Sequence, residues 1–406
     1  MSGARNRAAR VPVRYSDRVC TPADTLARVT PLLAGSGVTR LARITGLDAI
    51  GIPVWNAMRP NARSLVVHQG KGITDLDAKV SAVMEALERA VAENPPLATT
   101  RTSRRALTAD GLCAEPLAAL LAADREEISD DTVMEWVAGC DLVHHTPVWV
   151  PRAAVALDRT RPSRYWQSSD GLASGNTATE AIFHGLLERI ERDAKCLWQL
   201  ASPAQRARTC VDVRCYADDP VVGDLLARID HAGFRVQLFD VTSDVDVPVF
   251  VVLLAPAGLQ GRVAAKYIDV THGSGAHPNP VRALIRALTE AVQSRLTLIS
   301  GTRDDVAPTT YTRPLPPALR QELDLPPQPH QRRDVIVPAG SLAEMTAAVV
   351  DLLARKGLGP LLAVRLNPDE SRMAVVKVLA PRLENPPGAR KRPLGARALA
   401  KVLVFR

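Results

Sequence analysis

The chain predicts a mixed α/β fold, and three observations carry that prediction. Strand-like and helix-like segments alternate through most of its 406 residues. Three glycine-containing segments, widely separated, are each followed by an amphipathic helix. The composition, 46% apolar and 23% charged, is that of a globular protein able to bury a sizeable core.

Residues 1–20 are arginine-rich and aperiodic, and read as a mobile basic arm. Thr21 as cap and Pro22 at the first position open a helix over Pro22–Leu33. Strand patterns follow at Leu41–Ile44, Ile52–Trp55 and Ser64–His68. Gly70-Lys71-Gly72 then reads as a loop before a helix over Asp75–Glu93, which Pro95 and Pro96 stop. Glu115–Ala123 looks like a short helix, and Thr132–Ala138 and Pro147–Val150 look like strands. A second tight loop, Gly171 to Asn176, precedes a helix opened by the capping-box pair Thr177 and Glu180 and ending near Leu200.

Two βα-like units come next, including a strong strand at Pro248–Leu254. Strand-like Val263–Val270 leads into a third loop, Gly273-Ser274-Gly275. There Asn279 caps and Pro280 starts a helix that ends near Gly301. Pro314 to Gln331 reads as a surface connection, followed by a helix at Leu342–Lys356 and strands at Leu361–Leu366 and Met373–Leu379. Residues 386–406 form a basic, weakly patterned tail, leaving 21–385 as one catalytic domain. No fixed-period repeat is visible.

The formal charge of +8 favours an anionic partner, with arginine clusters at both ends. Aromatic residues make up only 4%, which leaves few platforms for stacked bases, so no nucleic-acid partner is expected. Six cysteines without CxxC spacing argue against structural zinc and disulfides and fit a reducing cytoplasm. No apolar run reaches membrane-span length, so no membrane partner is expected and the protein reads as cytoplasmic.

Helical phase gives the three helices coherent polar faces. At about 100° per residue, Ser81, Glu85 and Glu88 fall in an arc of roughly 60°, away from the stripe of Leu76, Val80, Val83, Leu87 and Val91. Glu180, His184, Glu188 and Glu191 share an arc of about 80° on the second helix. Arg286, Glu290 and Gln293 lie within about 60° on the third. A wet face accounts for any one of these. Three of them, each behind glycines that let backbone approach a ligand, point to carboxylates holding magnesium against a polyphosphate. The Walker spacing is missing at Gly70-Lys71-Gly72, and no GxSxG or HExxH occurs.

These segments resemble the three ATP-binding signatures of YcaO-domain proteins. Gly70-Lys71-Gly72 with Ser81 through Arg89 is similar to the first. Asp170 through Asn176 with Glu180, Glu188, Glu191, Arg192 and Asp193 is similar to the second. His277-Pro278 with Arg286, Glu290, Gln293 and Arg295 is similar to the third. The second signature usually begins with Asn where this chain has Asp170. Tyr15-Ser16-Asp17-Arg18 aligns only loosely with a family element that approaches the phosphates.

The resemblance implies a YcaO-type fold whose amphipathic helices line a site for ATP and Mg2+. It implies that a peptide backbone amide is activated by phosphorylation of its oxygen and then attacked by a nucleophile. Glu85, Glu88, Glu188, Glu191 and Glu290 would be magnesium ligands by this carry-over. Ser81, Asn176, Glu180, Arg192 and Arg286 would contact the nucleotide, with Glu191, Arg192 and Glu290 at the catalytic centre. The C-terminal Val402 to Arg406 lacks the Pro-rich tail of azoline-forming members, which favours the TfuA-associated, thioamide-forming branch. That branch implies a peptide or protein substrate, a TfuA-like partner, sulfide or another sulfur donor, and a role in RiPP biosynthesis or protein modification. A homodimer is compatible with it. The alternatives are an azoline-forming cyclodehydratase and a catalytically idle ATP- or peptide-binding subunit.

Overall fold

The computed structural model describes residues 15–122, 127–261, 264–329, 333–335, 340–385 and 393–403. Helix α1 (Pro22–Val29) starts where Thr21 accepts from the Asp24 amide, and a 3₁₀ turn carries it to Leu32. Strands β1 (Arg40–Arg43), β2 (Val54–Met58) and β3 (Val67–Lys71) precede α2 (Asp75–Glu93), β4 (Thr100–Thr102) and α3 (Arg104–Ala109). Next come β5 (Met134–Asp141), β6 (Pro147–Pro151), α4 (Arg152–Val155), β7 (Leu172–Gly175) and α5 (Ala178–Gln199). The chain continues through α6 (Pro203–Arg208), β8 (Cys210–Val211), α7 (Pro220–His231), β9 (Phe234–Asp240), β10 (Val249–Pro256) and β11 (Thr271–Ala276). It closes with α8 (Pro280–Ser300), α9 (Pro317–Leu323), α10 (Leu342–Arg355), β12 (Leu362–Arg365), β13 (Ala374–Leu379) and α11 (Ala396–Leu403).

The described strands form three sheets, ordered β1-β2-β3, β11-β10-β9-β8 and β4-β5-β12-β13-β7, with β6 on the side of β5. Every ladder is antiparallel, including those of the segments that read as βα-like units. Helix α5 is central. Its Phe183, Leu186, Leu187 and Ile190 are fully buried against Phe239, Val249 and Val349, each side chain contributing about 1.5–3 kcal/mol of apolar burial. On the other side of the β8–β11 sheet, α8 packs Leu284, Leu288 and Val292 against Phe250, Val252 and the α7 residue Leu225.

The three expected glycine loops are largely strand. Gly70 and Lys71 belong to β3, Gly175 ends β7, and Gly273 and Gly275 lie within β11. Each strand turns directly into the long helix that packs back on it. A Cβ at Gly70 would meet Ala78 O and Ala82 N at 2.1 Å, and one at Gly273 would meet Ala287 O at 2.2 Å. These glycines therefore admit helix backbone, not ligand, to the strand surface.

Other expectations shift for local reasons. Glu115–Ala123 holds only a 3₁₀ turn at Ala118–Leu120, because Leu117 takes a left-handed φ of 54° and Glu115 pairs its amide with Trp149; Ala123 lies outside the described residues. The strand expected at Val263–Val270 begins only at Thr271, since Tyr267–Asp269 forms a 3₁₀ turn closed by Asp269 on the Lys266 amide; Val263 lies outside the described residues. The Pro314–Gln331 connection contains α9. Within the expected C-terminal tail, α11 is docked by Arg397 on Asp193 and Asp244, while 386–392 and 404–406 lie outside the described residues.

The expected mobile arm is corrected over its last residues. Tyr15 donates to Asp219, and buried Asp17 accepts from Arg282 and hydrogen-bonds His277 at 2.9 Å. Burial holds the His277 imidazole near pKa 4, so this contact is a neutral hydrogen bond while Arg282 supplies the charge. Residues 1–14 of the arm lie outside the described residues.

Candidate active site

The polar faces of α2, α5 and α8 meet around one cavity of about 660 Å³. Ser81, Glu85, Glu88, Asn176, Glu180, Glu188, Glu191, Arg192, Arg286 and Glu290, all selected from sequence, line it together. Helical phase put all but Asn176 and Arg192, which the resemblance named, on single faces, and the glycine-mediated packing of each helix on its strand turns those faces inward.

Each acidic helix is tied first to its own strand segment. The Gln69 amide donates to Glu85 at 3.1 Å, the Gly171 amide to Glu188 at 3.0 Å, and the Ser274 amide to Glu290 at 3.3 Å. Each is also tied to the next strand. Ser174 on β7 donates its hydroxyl to Glu88 at 2.9 Å, Ser274 on β11 donates to Glu191 at 2.8 Å, and Lys71 on β3 pairs with Glu290 at 2.5 Å. The carboxylates are thus held by backbone and by short side chains, an arrangement suited to fixed geometry.

Arg192 lies among acids, with Nε 3.3 Å from Asp170 and Nη2 3.3 Å from Glu188, and Glu191 at 3.7 Å. Burial alone would favour losing its proton, but these three carboxylates hold it firmly charged. Asp170, the departure from the usual Asn, supplies one of them, so here an extra negative charge orients the arginine. Burial opposes the Asp170 carboxylate, and Arg192 and Arg189 outweigh it, leaving the pKa lowered. Lys377 on β13 braces this turn by donating to the carbonyls of Ser168 and Asp170 at 2.6 and 2.8 Å.

Glu180 lines the cavity but is already engaged. Its carboxylate accepts from Arg18 at 2.6 Å, from the Val19 amide at 3.1 Å and from Asn176 at 3.3 Å. The capping box is therefore half made: Thr177 accepts from the Glu180 amide, while the Glu180 side chain turns to the arm. Among the described residues, the buried Nε of Arg286 has no hydrogen-bond partner, nor have the two ring nitrogens of His184. Sequence reasoning missed Ser274, Lys71 and Asp17. Ser274 and Lys71 were hidden inside apparent glycine loops; Asp17 falls in the loosely aligned segment 15–18 and was given no role, since its partners lie 260 and 265 positions away.

Burial raises the Glu88 carboxyl to about 8, with Glu85 and Glu188 adding to the rise and Arg89 opposing it. Glu188 is raised as well, by burial and then by Asp170 and Glu191 against Arg192. Glu290 is lowered despite burial, by Lys71 and Arg192. Among the described residues no three acids, histidines or cysteines are already gathered closely enough to hold a metal ion. The five glutamates line one cavity without forming a closed ligand shell. The donor set nevertheless fits magnesium: it is all oxygen, it is self-repelling at Glu85, Glu88 and Glu188, and magnesium takes few carboxylates when phosphates complete its shell.

A pH prediction follows. In metal-free protein, folded Glu88 keeps a proton up to about pH 8 that the unfolded chain, near 4.5, gives up. Its stabilising contribution is complete below about 4.5 and lost as pH rises through 8, by up to about 1.4 kcal/mol per pH unit. Thermal melts from pH 5 to 9 should show this decline, and Glu88→Gln should flatten it; an unchanged slope in the variant would refute the assignment.

A family model described as YcaO cyclodehydratase, ATP- and Mg2+-binding, matches residues 69–384. The chain is 38% identical over 396 residues to a protein in the tfuA 3′ region of Rhizobium leguminosarum bv. trifolii, covering 95% of this chain and 93% of that one. It is 38% identical over 299 residues to a Methanothermobacter thermautotrophicus protein, covering 72% and 74%. The fold is shared with YcaO from Methanopyrus kandleri bound with AMPPCP and Mg2+, at TM-score 0.68 and 24% identity over 93% of this chain and 97% of that one. It is shared too with a heterocyclase in complex with substrate and cofactor, at TM-score 0.72 and 22% identity over 91% of this chain; the match spans about half, 53%, of that larger protein. With a matching model over most of its length and relatives of this identity, the chain belongs to the YcaO family, and its cofactors are ATP and Mg2+.

Proposed function

We propose that this protein activates a peptide backbone amide with ATP and Mg2+ and replaces the amide oxygen with sulfur, working with a TfuA-like partner. The observation that carries the sulfur assignment is the near full-length identity to the protein of the tfuA 3′ region. Bound ATP supplies the phosphoryl group that makes the amide oxygen a leaving group, and sulfide or another sulfur donor supplies the nucleophile.

In this reading Glu85, Glu88, Glu188, Glu191 and Glu290 hold magnesium. Ser81, Asn176, Arg192 and Arg286 contact the nucleotide, and Glu180 organises Asn176 and Arg18 beside it. The orphaned Arg286 Nε supports this, because a buried donor without a partner costs stability unless a ligand oxygen satisfies it. Arg192, held by Asp170 and Glu188, needs little reorganisation to meet charge developing on the transferred phosphoryl group.

Intact mass spectrometry of a candidate peptide incubated with the chain, its TfuA-like partner, ATP, Mg2+ and sulfide tests the reading. Oxygen-for-sulfur exchange is expected, together with peptide-stimulated ADP release. Loss of water instead would establish a cyclodehydratase, the second reading, which the family model's own description favours. Absence of ADP release with the partner present would leave the idle-subunit reading.

A further inference from the structure

A second cavity, of about 770 Å³, lies at the C-terminal end of α2, between the start of β5, the end of β6 and the segment around residues 158–167. No residue role described above uses it. Two stretches of chain run from one cavity to the other, although the two share no lining residue. Helix α2 presents Arg89 to the first and Glu93 to the second, four residues or about 6 Å further on. Ser169 lines the first and Gln167 the second.

Four arginines face three acids in its lining, and the acids are engaged. Arg63, Arg152, Arg161 and Arg164 line it. Asp158 is shared by Arg63 at 3.1 Å and Arg161 at 3.9 Å, and Glu135 reaches Arg152 only at 4.0 Å. Glu93 is taken by the buried Arg59, which does not line the cavity. Arg164 makes no ion pair among the described residues, and Arg161 is 80% exposed. Beside the cavity, β4 pairs only with β5 among the described strands and leaves an edge on which an extended segment could pair.

We propose that this cavity seats an acidic stretch of the peptide substrate, flanking the amide that reaches the first cavity. The inference rests on the peptide-modifying reading above. Guanidinium groups in fork geometry suit carboxylate side chains, and the nearness of the two cavities along α2 and residues 167–169 would let one extended chain reach both.

The test uses the full chain and a fluorescein-labelled dodecapeptide of repeating Glu-Gly-Ala, followed by anisotropy at near-physiological salt. Binding is expected for this peptide and not for its Lys-Gly-Ala counterpart. Arg161→Glu/Arg164→Glu should weaken it at least about tenfold, while Arg355→Glu/Arg365→Glu, an equal charge change at exposed residues elsewhere, should weaken it far less. Magnesium–AMPPCP binding should be equal in all three proteins, which also reports that they are folded. Equal losses in both variants, or equally tight arginine-dependent capture of single-stranded RNA, would overturn the proposal. If the acidic peptide binds as described but no peptide is ever modified, the catalytic reading fails and the cavity assignment stands.

Discussion

Replacing Glu191 by glutamine is expected to lower peptide-dependent ADP release by on the order of 10²-fold or more, the scale on which removing one preorganised charge-stabilising group acts. The substitution is close to isosteric. The amide oxygen of glutamine can still accept from Ser274 Oγ, now 2.8 Å from the carboxylate, so β11 and α5 stay joined. What goes is a negative charge beside Arg192 and opposite Glu290. The loss should therefore fall on turnover and on magnesium dependence, with an unchanged melting transition in metal-free protein. ADP release measured across a magnesium titration checks this. Wild-type turnover by the variant would remove Glu191 from the metal site and with it the proposed ligand set.

The second large effect concerns a residue that touches no ligand. Gly273→Ala would place a methyl group 2.2 Å from Ala287 O and 2.3 Å from Ala291 N, both backbone atoms of α8 that cannot swing aside. Strand and helix must separate, at a cost of about 3 kcal/mol or more, the top of the overpacking range. The displacement acts on Glu290 in the same helix turn, so stability and activity should fall together. Gly46→Ala is the matched control, since nothing lies within 4 Å of its added methyl. Chemical denaturation of both variants measures the difference; a Gly273→Ala protein as stable as wild type would mean that the seam between β11 and α8 is looser than described.

What could be read from sequence divides along a physical line. The 3.6-residue period of α2, α5 and α8 is carried by large side chains, so Glu85, Glu188 and Glu290 were legible as members of coherent faces. The strands beneath them were less legible because Gly70, Gly175, Gly273 and Gly275 erase the alternation by which strands are recognised. Expected strand bounds near Ser64–His68 accordingly stop short of Lys71, and β11 looked like loop. Asp17 and Arg18 were legible only as part of a loosely aligned segment, because their partners Arg282 and Glu180 are brought near only by the finished fold. Nor could spacing show that Glu180 would forgo its capping box, since the Arg18 guanidinium that draws it away is a tertiary neighbour.

The contacts around the cavity also close on themselves. The β3–α2 unit reaches the β7–α5 unit through Glu88 and Ser174; that unit reaches β11–α8 through Glu191 and Ser274; and β11–α8 returns to the first through Glu290 and Lys71. Such a cycle has no terminal member. Any two units alone keep one of the three cross-links and leave one carboxylate without its donor and one donor without its acid. The three walls hold one another in register, each junction closing the ring that the other two begin.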